Sequence, residues 1–137
     1  MRRNELPRGL RNNNPGNIRN SDAIDWKGEV SLKKDNDFEE FEDIEHGYRA
    51  MFILVRNYIL KHGLNTIRGI ISRYAPTHEN HTENYIDIVS NRSGIGADDV
   101  ISADNREIMI RIIAAMSYVE NGRDAVMSDV IAGWNLL

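Results

Sequence analysis

The sequence predicts a mainly helical α+β domain, with a small polar lobe at the front of the chain and helices behind it. Apolar residues recur at helical spacing after residue 45, and Gly or Pro follows most of these stretches. The first 44 residues are rich in Asn, Asp and Gly and lack that spacing. With 137 residues, 41% of them hydrophobic, the chain is expected to form one domain spanning residues 1–137.

The front lobe is expected to contain a tight turn and a small antiparallel sheet or β-hairpin. Within the string Asn12–Asn17, Pro15 and Gly16 supply the backbone angles that a β-turn requires. Three short stretches alternate briefly between apolar and polar residues and are expected to pair as strands. These stretches are residues 18–19, 29–32 and 38–41.

Five helices are expected behind the front lobe. Their apolar stripes and end signals place them at residues 46–61, 66–74, 83–93, 105–121 and 127–136. The expected N-caps of the second, third and fourth helices are Asn65, Thr82 and Asp104, and Pro76 ends the second. In the fourth helix, Asp104 and Glu107 have the spacing of a capping box, and Asn121-Gly122 has the composition of a C-cap.

Glu120 is the carboxylate that the helical spacing singles out. It lies eleven residues after Met109 and continues the apolar stripe of the fourth helix. Burial and the negative end of the helix dipole both disfavour an anion there, so both are expected to raise the pKa of Glu120. Glycosidic cleavage needs an acid that is still protonated near neutral pH. The alternative is a glutamate that bends outward at a frayed helix end.

Two polar segments offer groups that could bind a sugar. The amides of the Asn-rich turn both donate and accept hydrogen bonds, as recognition of N-acetyl and hydroxyl groups requires. The loop from Tyr74 to Tyr85 offers an aromatic platform and a second carboxylate, Glu79. Both segments also have ordinary interpretations, because Asn-rich turns occur without ligands and an acid is favourable just before a helix. His78 and His81 lack a third ligand at suitable spacing, so no metal is expected.

Composition and missing motifs exclude several classes of protein. The absence of cysteine excludes disulfides, a Cys-ligated zinc site and a cysteine nucleophile. No P-loop, Rossmann glycine pattern or G-x-S-x-G motif occurs, and no cofactor is expected. No apolar run is long enough for a membrane span, and no signal peptide is recognised. The net charge of −4 argues against nucleic-acid binding, although five arginines in residues 1–19 keep it as a third hypothesis.

Longer strings resemble small phage and prophage virion proteins that are described as structural or lysozyme-like. The matching strings are residues 8–19, Trp26-x-Gly28, Phe38-x-x-Phe41, residues 47–50, residues 70–76, and residues 79–82 with Tyr85-Ile86. The order of motifs is also similar to that of bacterial wall glucosaminidases of the lysozyme-like superfamily. In those enzymes a Glu-bearing helix precedes an Asn-Asn loop, a Trp-x-Gly, an aromatic hairpin and a Tyr-Ala segment ending in Asn-Tyr. Here the segment Val119–Gly122 stands at the back instead, which implies a circularly permuted lysozyme-like fold.

The resemblance implies roles for particular residues. It places the general acid on Glu120, and Glu79 is the candidate second catalytic group. Asn121 stands where the superfamily has Ser, and Glu5 is a rival acid, although it precedes Pro7 in a segment without a helical stripe. The candidate substrate-binding residues are Asn13, Asn14, Asn17, Tyr74, Asn80, Thr82 and Tyr85.

The expected function is therefore that of a peptidoglycan-degrading glycosidase, whether muramidase, glucosaminidase or lytic transglycosylase, acting on β-1,4 bonds. Its expected partners are the glycan strands of the bacterial cell wall and other virion proteins. We expect it to be made in the bacterial cytoplasm and to reach the wall through a phage virion or another delivery route. The alternative is a non-catalytic phage virion protein that keeps a lysozyme-like fold.

Overall fold

Six helices make up most of the structure. The computed structural model describes residues 5–76 and 79–137, without the side chains of Glu79 and Asn80. The helices are α1 (Arg8–Arg11), α2 (Ile44–His62), α3 (Ile67–Tyr74), α4 (Glu79–Ser93), α5 (Arg106–Asn121) and α6 (Met127–Asn135). The expectation of a mainly helical protein is confirmed, and the short α1 is a helix that the sequence pattern did not predict.

The helix starts differ from the predicted caps by a residue or more. Thr66, rather than Asn65, caps α3, and its side chain accepts a hydrogen bond from the Gly69 amide at 3.0 Å. Asn105, rather than Asp104, caps α5 in the same way. The predicted capping box is therefore wrong. Thr82 caps nothing, because α4 begins three residues earlier at Glu79.

One buried apolar cluster connects helices α2 to α6 with the front segment. The most extensive helix contacts are those of α2 with α6 and of α4 with α5. Trp134 of α6 packs edge-on against Phe52 of α2, with ring centroids 5.3 Å apart. The fully buried residues at the centre are Met51, Phe52, Val55, Ile67, Ile70, Ile71, Ile86, Val89, Ile112, Ile113, Met116 and Val130. The predicted apolar stripes thus lie in the core.

The predicted β-hairpin is wrong for the part of the chain that the structure describes. Between α1 and α2 only two isolated antiparallel bridges form, Arg19 with Phe38 and Glu29 with Phe41. Asp35 accepts hydrogen bonds from the backbone amides of residues 37 and 38, and Glu40 accepts one from the amide of residue 35. Backbone hydrogen bonds flank both bridges, such as that from the Glu39 amide to the Ile18 carbonyl at 2.9 Å and that from the Val30 amide to the Glu40 carbonyl at 3.0 Å, but neither pairing extends into a strand. The front segment is an irregular polar loop.

Ion pairs fix this loop to α1. Arg8 donates two hydrogen bonds to the Asp35 carboxylate, each 2.6 Å long, and its guanidinium lies 4.6 Å from the centre of the Phe38 ring. The same pairing holds the pKa of Asp35 well below its usual range. None of the helices in the described ranges combines the length and apolar character that a membrane crossing needs.

Candidate active site

Glu120 lies in the last turn of α5 and is half-buried. Burial raises the pKa of its carboxyl, while hydrogen bonds from Asn17 and Tyr85 act in the opposite direction. The side chains in the described part of the chain that act on this pKa are those of Asn17 and Tyr85, and neither is a cation. Sequence reasoning predicted both the raised pKa and its main cause, burial.

The Asn-rich turn meets α5 at Glu120. The Asn17 side-chain amide donates a 2.9 Å hydrogen bond to Oε1 of Glu120 and a longer one, 3.5 Å, to the Glu120 carbonyl. Asn121 donates from its own amide to the Pro15 carbonyl at 2.8 Å and to the Ser117 carbonyl at 2.9 Å. Two consecutive residues at the end of α5 are thus tied to residues more than 100 positions earlier in the chain.

The turn keeps its shape through Asn14 rather than presenting that residue to solvent. Asn14 is fully buried, and its amide donates to the carbonyls of Ile18 at 2.9 Å and Glu39 at 3.0 Å. Its Oδ1 accepts the Ile18 amide at 3.0 Å. The nitrogen and the oxygen of this side chain both bond inside the loop, so Asn14 has a structural part here, and its expected contact with substrate stays a prediction. Asn13 and Asn17, at φ of 52° and 50°, occupy the left-handed region that Asn tolerates.

Two glycines let the turn approach the helices closely. A Cβ at Gly9 of α1 would lie 2.8 Å from the Asn14 carbonyl oxygen and 2.6 Å from Oδ1 of Asn121. At Gly47 of α2 it would lie 2.0 Å from the Asn13 carbonyl oxygen. Only glycine at positions 9 and 47 therefore leaves room for the turn to pack this closely, and this packing lets Asn17 reach α5.

Two tyrosines complete the surroundings of Glu120. Tyr74, at the end of α3, donates a hydrogen bond from its hydroxyl to the Gly16 carbonyl. Tyr85 of α4 is buried, and its hydroxyl lies 3.5 Å from the Met116 carbonyl and also interacts with the Glu120 carboxyl. Burial first, and the Glu120 charge second, raise the pKa of both phenols. Both therefore stay protonated and act as hydrogen-bond donors.

The remaining predicted site residues lie farther from this cluster or outside the described part. The Asn13 amide is bound to the Phe41 carbonyl at 3.1 Å. The Thr82 hydroxyl donates to the Ala75 carbonyl at 2.5 Å and connects α4 to the end of α3. Since Thr82 and Tyr85 are both buried, neither offers more than a restricted surface to a substrate. The side chains of Glu79 and Asn80, and all of His78, lie outside the described residues.

Sequence reasoning missed the structural part that Asn121 plays. Its side chain is 7% exposed, and its Oδ1, like that of Asn17, is buried without a hydrogen-bond partner in the described part of the chain. Both oxygens face Gly9. The only available signal was the position of Asn121 next to Glu120. As for metals, the described side chains contain no group of three or more His, Asp or Glu residues that could hold an ion.

A comparison with known proteins places the chain in a phage protein family. It is 45% identical over 130 residues to Protein P5 of Pseudoalteromonas phage PM2, a match that covers 93% of this chain and 79% of the phage protein. The chain belongs to the family of that phage protein. No family model matches it. The expected kinship with phage proteins is confirmed, and the more specific likeness to lysozyme-like enzymes stays a prediction.

Proposed function

We propose that the protein cleaves β-1,4 glycosidic bonds in bacterial peptidoglycan, with Glu120 as the general acid. The observation that carries the proposal is a half-buried carboxyl whose pKa is raised by burial and which is held by an amide rather than by a cation. Such an acid holds its proton to a higher pH than a solvent-exposed glutamate does and can donate it to a leaving oxygen.

Asn17 and Tyr85 have defined parts in this mechanism. The Asn17 amide donates to Oε1 of Glu120, so the proton of the neutral acid is carried on Oε2, which is the oxygen that would face the glycosidic bond. After the proton has been transferred, the hydrogen bonds from Asn17 and Tyr85 stabilise the carboxylate that remains, since both lower the pKa of Glu120. The two residues therefore favour the charge that develops during the reaction.

One acid suffices for a lytic transglycosylase, in which a hydroxyl of the sugar itself attacks the anomeric carbon. Among the side chains that the structure describes, which exclude that of Glu79, the groups that act on the pKa of Glu120 include no second carboxyl, and this favours the one-acid route. Glu79 remains the proposed second group for a hydrolase, because it begins α4, the helix that carries Tyr85 to Glu120. A separation of the two carboxyls of about 5–5.5 Å would indicate retention of configuration, and about 6.5–9.5 Å inversion. Delivery to the wall through a phage virion is part of the proposal and agrees with the phage relative.

The test compares lysis of purified peptidoglycan sacculi by the wild type, Glu120→Gln and Glu5→Gln. We expect Glu120→Gln to lose roughly 10²–10⁴-fold in rate, as befits the loss of a general acid. Glu5→Gln, which replaces the exposed rival acid, should keep the wild-type rate. Mass spectrometry of the products then separates anhydro ends from reducing ends. Lysis by Glu120→Gln at the wild-type rate would remove this residue from the mechanism.

A non-catalytic phage virion protein is the second candidate, and one observation favours it. The Glu120 carboxyl accepts a hydrogen bond from Asn17 and thereby ties the turn to α5, which is a structural task in itself. This candidate predicts that wild-type protein does not release soluble glycan from sacculi at any protein concentration. It also predicts that Asn17→Ala and Glu120→Ala weaken the fold by similar amounts, because each removes the same hydrogen bond.

A further inference from the structure

A concave site lies at the opposite end of α5 from Glu120. It is a cavity of about 460 Å³ between α2, α6 and the start of α5. Met109, which lines it, precedes Glu120 by eleven residues, or about 16 Å along the helix axis at ~1.5 Å per residue. The volume lies within the range of pockets that hold small molecules, roughly 300–1,000 Å³. The proposed glycosidase mechanism does not use this site.

Apolar and aromatic side chains line part of the pocket. Phe52 and Met109, both essentially without solvent exposure, are two of them. Trp134 stands over Phe52 at a centroid distance of 5.3 Å and remains partly exposed. A ligand with an apolar side chain would cover the indole and displace water from it.

Opposite charges line the rim of the same pocket. Arg56 of α2 is half-buried, and Asp104 lies exposed just before α5. In residues 5–76 and 79–137 neither charged group takes part in an ion pair, whereas Arg8, Arg68 and Arg92 are all paired with carboxylates. Asp104 is available because Asn105 caps α5 in its place.

We propose that this pocket binds a zwitterionic ligand, namely an amino acid or short peptide with free ammonium and carboxylate groups and a large apolar side chain. The Arg56 guanidinium would bind the carboxylate, with the bidentate geometry that this pairing favours. The Asp104 carboxylate would bind the ammonium, and the apolar side chain would lie against Trp134. Among the side chains that line the pocket, one is positive and one is negative, which matches a ligand that carries one charge of each sign.

Solution NMR on the wild-type protein tests the location. The chain has two tryptophans, so its spectrum has two indole N–H signals, and the signal that Trp134→Phe removes belongs to Trp134. Titration with L-leucine and with L-leucyl-L-leucine should shift the Trp134 signal and leave that of the buried Trp26 in place. Affinity on the order of millimolar is expected, because such small ligands bury little surface. No shift of the Trp134 signal at tens of millimolar of either probe would overturn the proposal.

Matched ligands and variants then test the two charges. N-acetylation of the dipeptide removes its ammonium, and amidation of its C-terminus removes its carboxylate. Arg56→Gln should weaken binding of the free dipeptide about tenfold or more and barely change binding of the amidated dipeptide, which has no carboxylate to lose. Asp104→Asn should likewise weaken binding of the free dipeptide and barely change binding of the acetylated dipeptide, which has no ammonium. Lys61→Gln and Asp22→Asn, at exposed positions that do not line the pocket, should have no effect. Equal loss for all ligand forms, or no loss with either pocket variant, would contradict the assignment.

Discussion

Replacing Glu120 by Gln is expected to make the protein more stable at neutral pH. The folded protein raises the pKa of this carboxyl above its ordinary value of about 4.5, so the folded state holds the proton more tightly than the unfolded state does. The stability that the bound proton contributes is fully present at pH values below the ordinary pKa, and it is lost as the pH rises through the pKa of the folded state. Above that window the wild type carries a half-buried charge that Gln lacks.

The magnitude follows from the same linkage. Each unit by which the pKa is raised corresponds to about 1.4 kcal/mol of lost stability at neutral pH. Gln still accepts a hydrogen bond from the Asn17 amide. A hydrogen bond to a neutral acceptor is worth about 1 kcal/mol less than one to a carboxylate, so the substitution loses that amount. Because burial outweighs the hydrogen bonds in the pKa of Glu120, the net gain is positive, on the order of 1 kcal/mol, or roughly 3–5 °C in Tm.

Thermal unfolding by circular dichroism between pH 3.5 and 8 measures this effect. The wild type and Glu120→Gln should melt together near pH 4 and diverge as the pH rises, with the variant higher. Glu42→Gln, at an exposed position, is the matched control and should follow the wild type throughout. Parallel curves for wild type and Glu120→Gln, or a variant that melts lower at pH 7, would show that the carboxylate is a stabilising acceptor and would refute the reasoning.

Three further substitutions test how the loop is built. Asn14→Ala removes three buried hydrogen bonds and should lower the free energy of unfolding by about 2–4 kcal/mol in urea titrations, whereas Asn36→Ala, at an exposed position, should have little effect. Gly9→Ala should cost about 1–3 kcal/mol, since its Cβ meets a backbone oxygen that cannot move aside, and a wild-type Tm would contradict that contact. Lys33→Ala leaves the fully buried Glu39 carboxyl without its cation and should cost about 2–4 kcal/mol near neutral pH. Because the pKa of Glu39 is already raised by burial and would rise further, that loss should shrink towards pH 4, and a pH-independent loss would argue against it.

Helices α2 to α6 could be predicted from the sequence because each carries an apolar stripe, whereas the four-residue α1 has none. The stripe from Met109 to Met116 is buried in α5, and Glu120 continues it to the helix end, as its spacing indicated. The exact caps could not be predicted. Thr66 and Asn65 both have side chains that can cap, as do Asn105 and Asp104, and long-range packing decides which of two neighbours takes that position.

The front loop was harder to predict, for a physical reason. Its short alternating stretches do face one another, at Arg19 with Phe38 and at Glu29 with Phe41, but each pairing stops at a single bridge, and so brief an alternation cannot indicate whether a ladder forms. The Asn residues of the turn also look alike in sequence. Only the folded backbone turns Asn14 inward and Asn17 towards Glu120, so composition could indicate a polar turn without indicating which amide reaches the acid.

Glu120 is an ionisable residue in a half-buried position that disfavours its charge, and this bears on function. A residue whose only task was to accept a hydrogen bond from Asn17 would do so as well with a Gln side chain, which carries no charge into a half-buried place. The chain instead keeps an ionisable group where burial resists its ionisation. Stable proteins depart from such local preferences mainly where activity requires it. Under the proposed function, the stability that Glu120→Gln gains also measures what the wild type gives up to keep a proton donor at the end of α5.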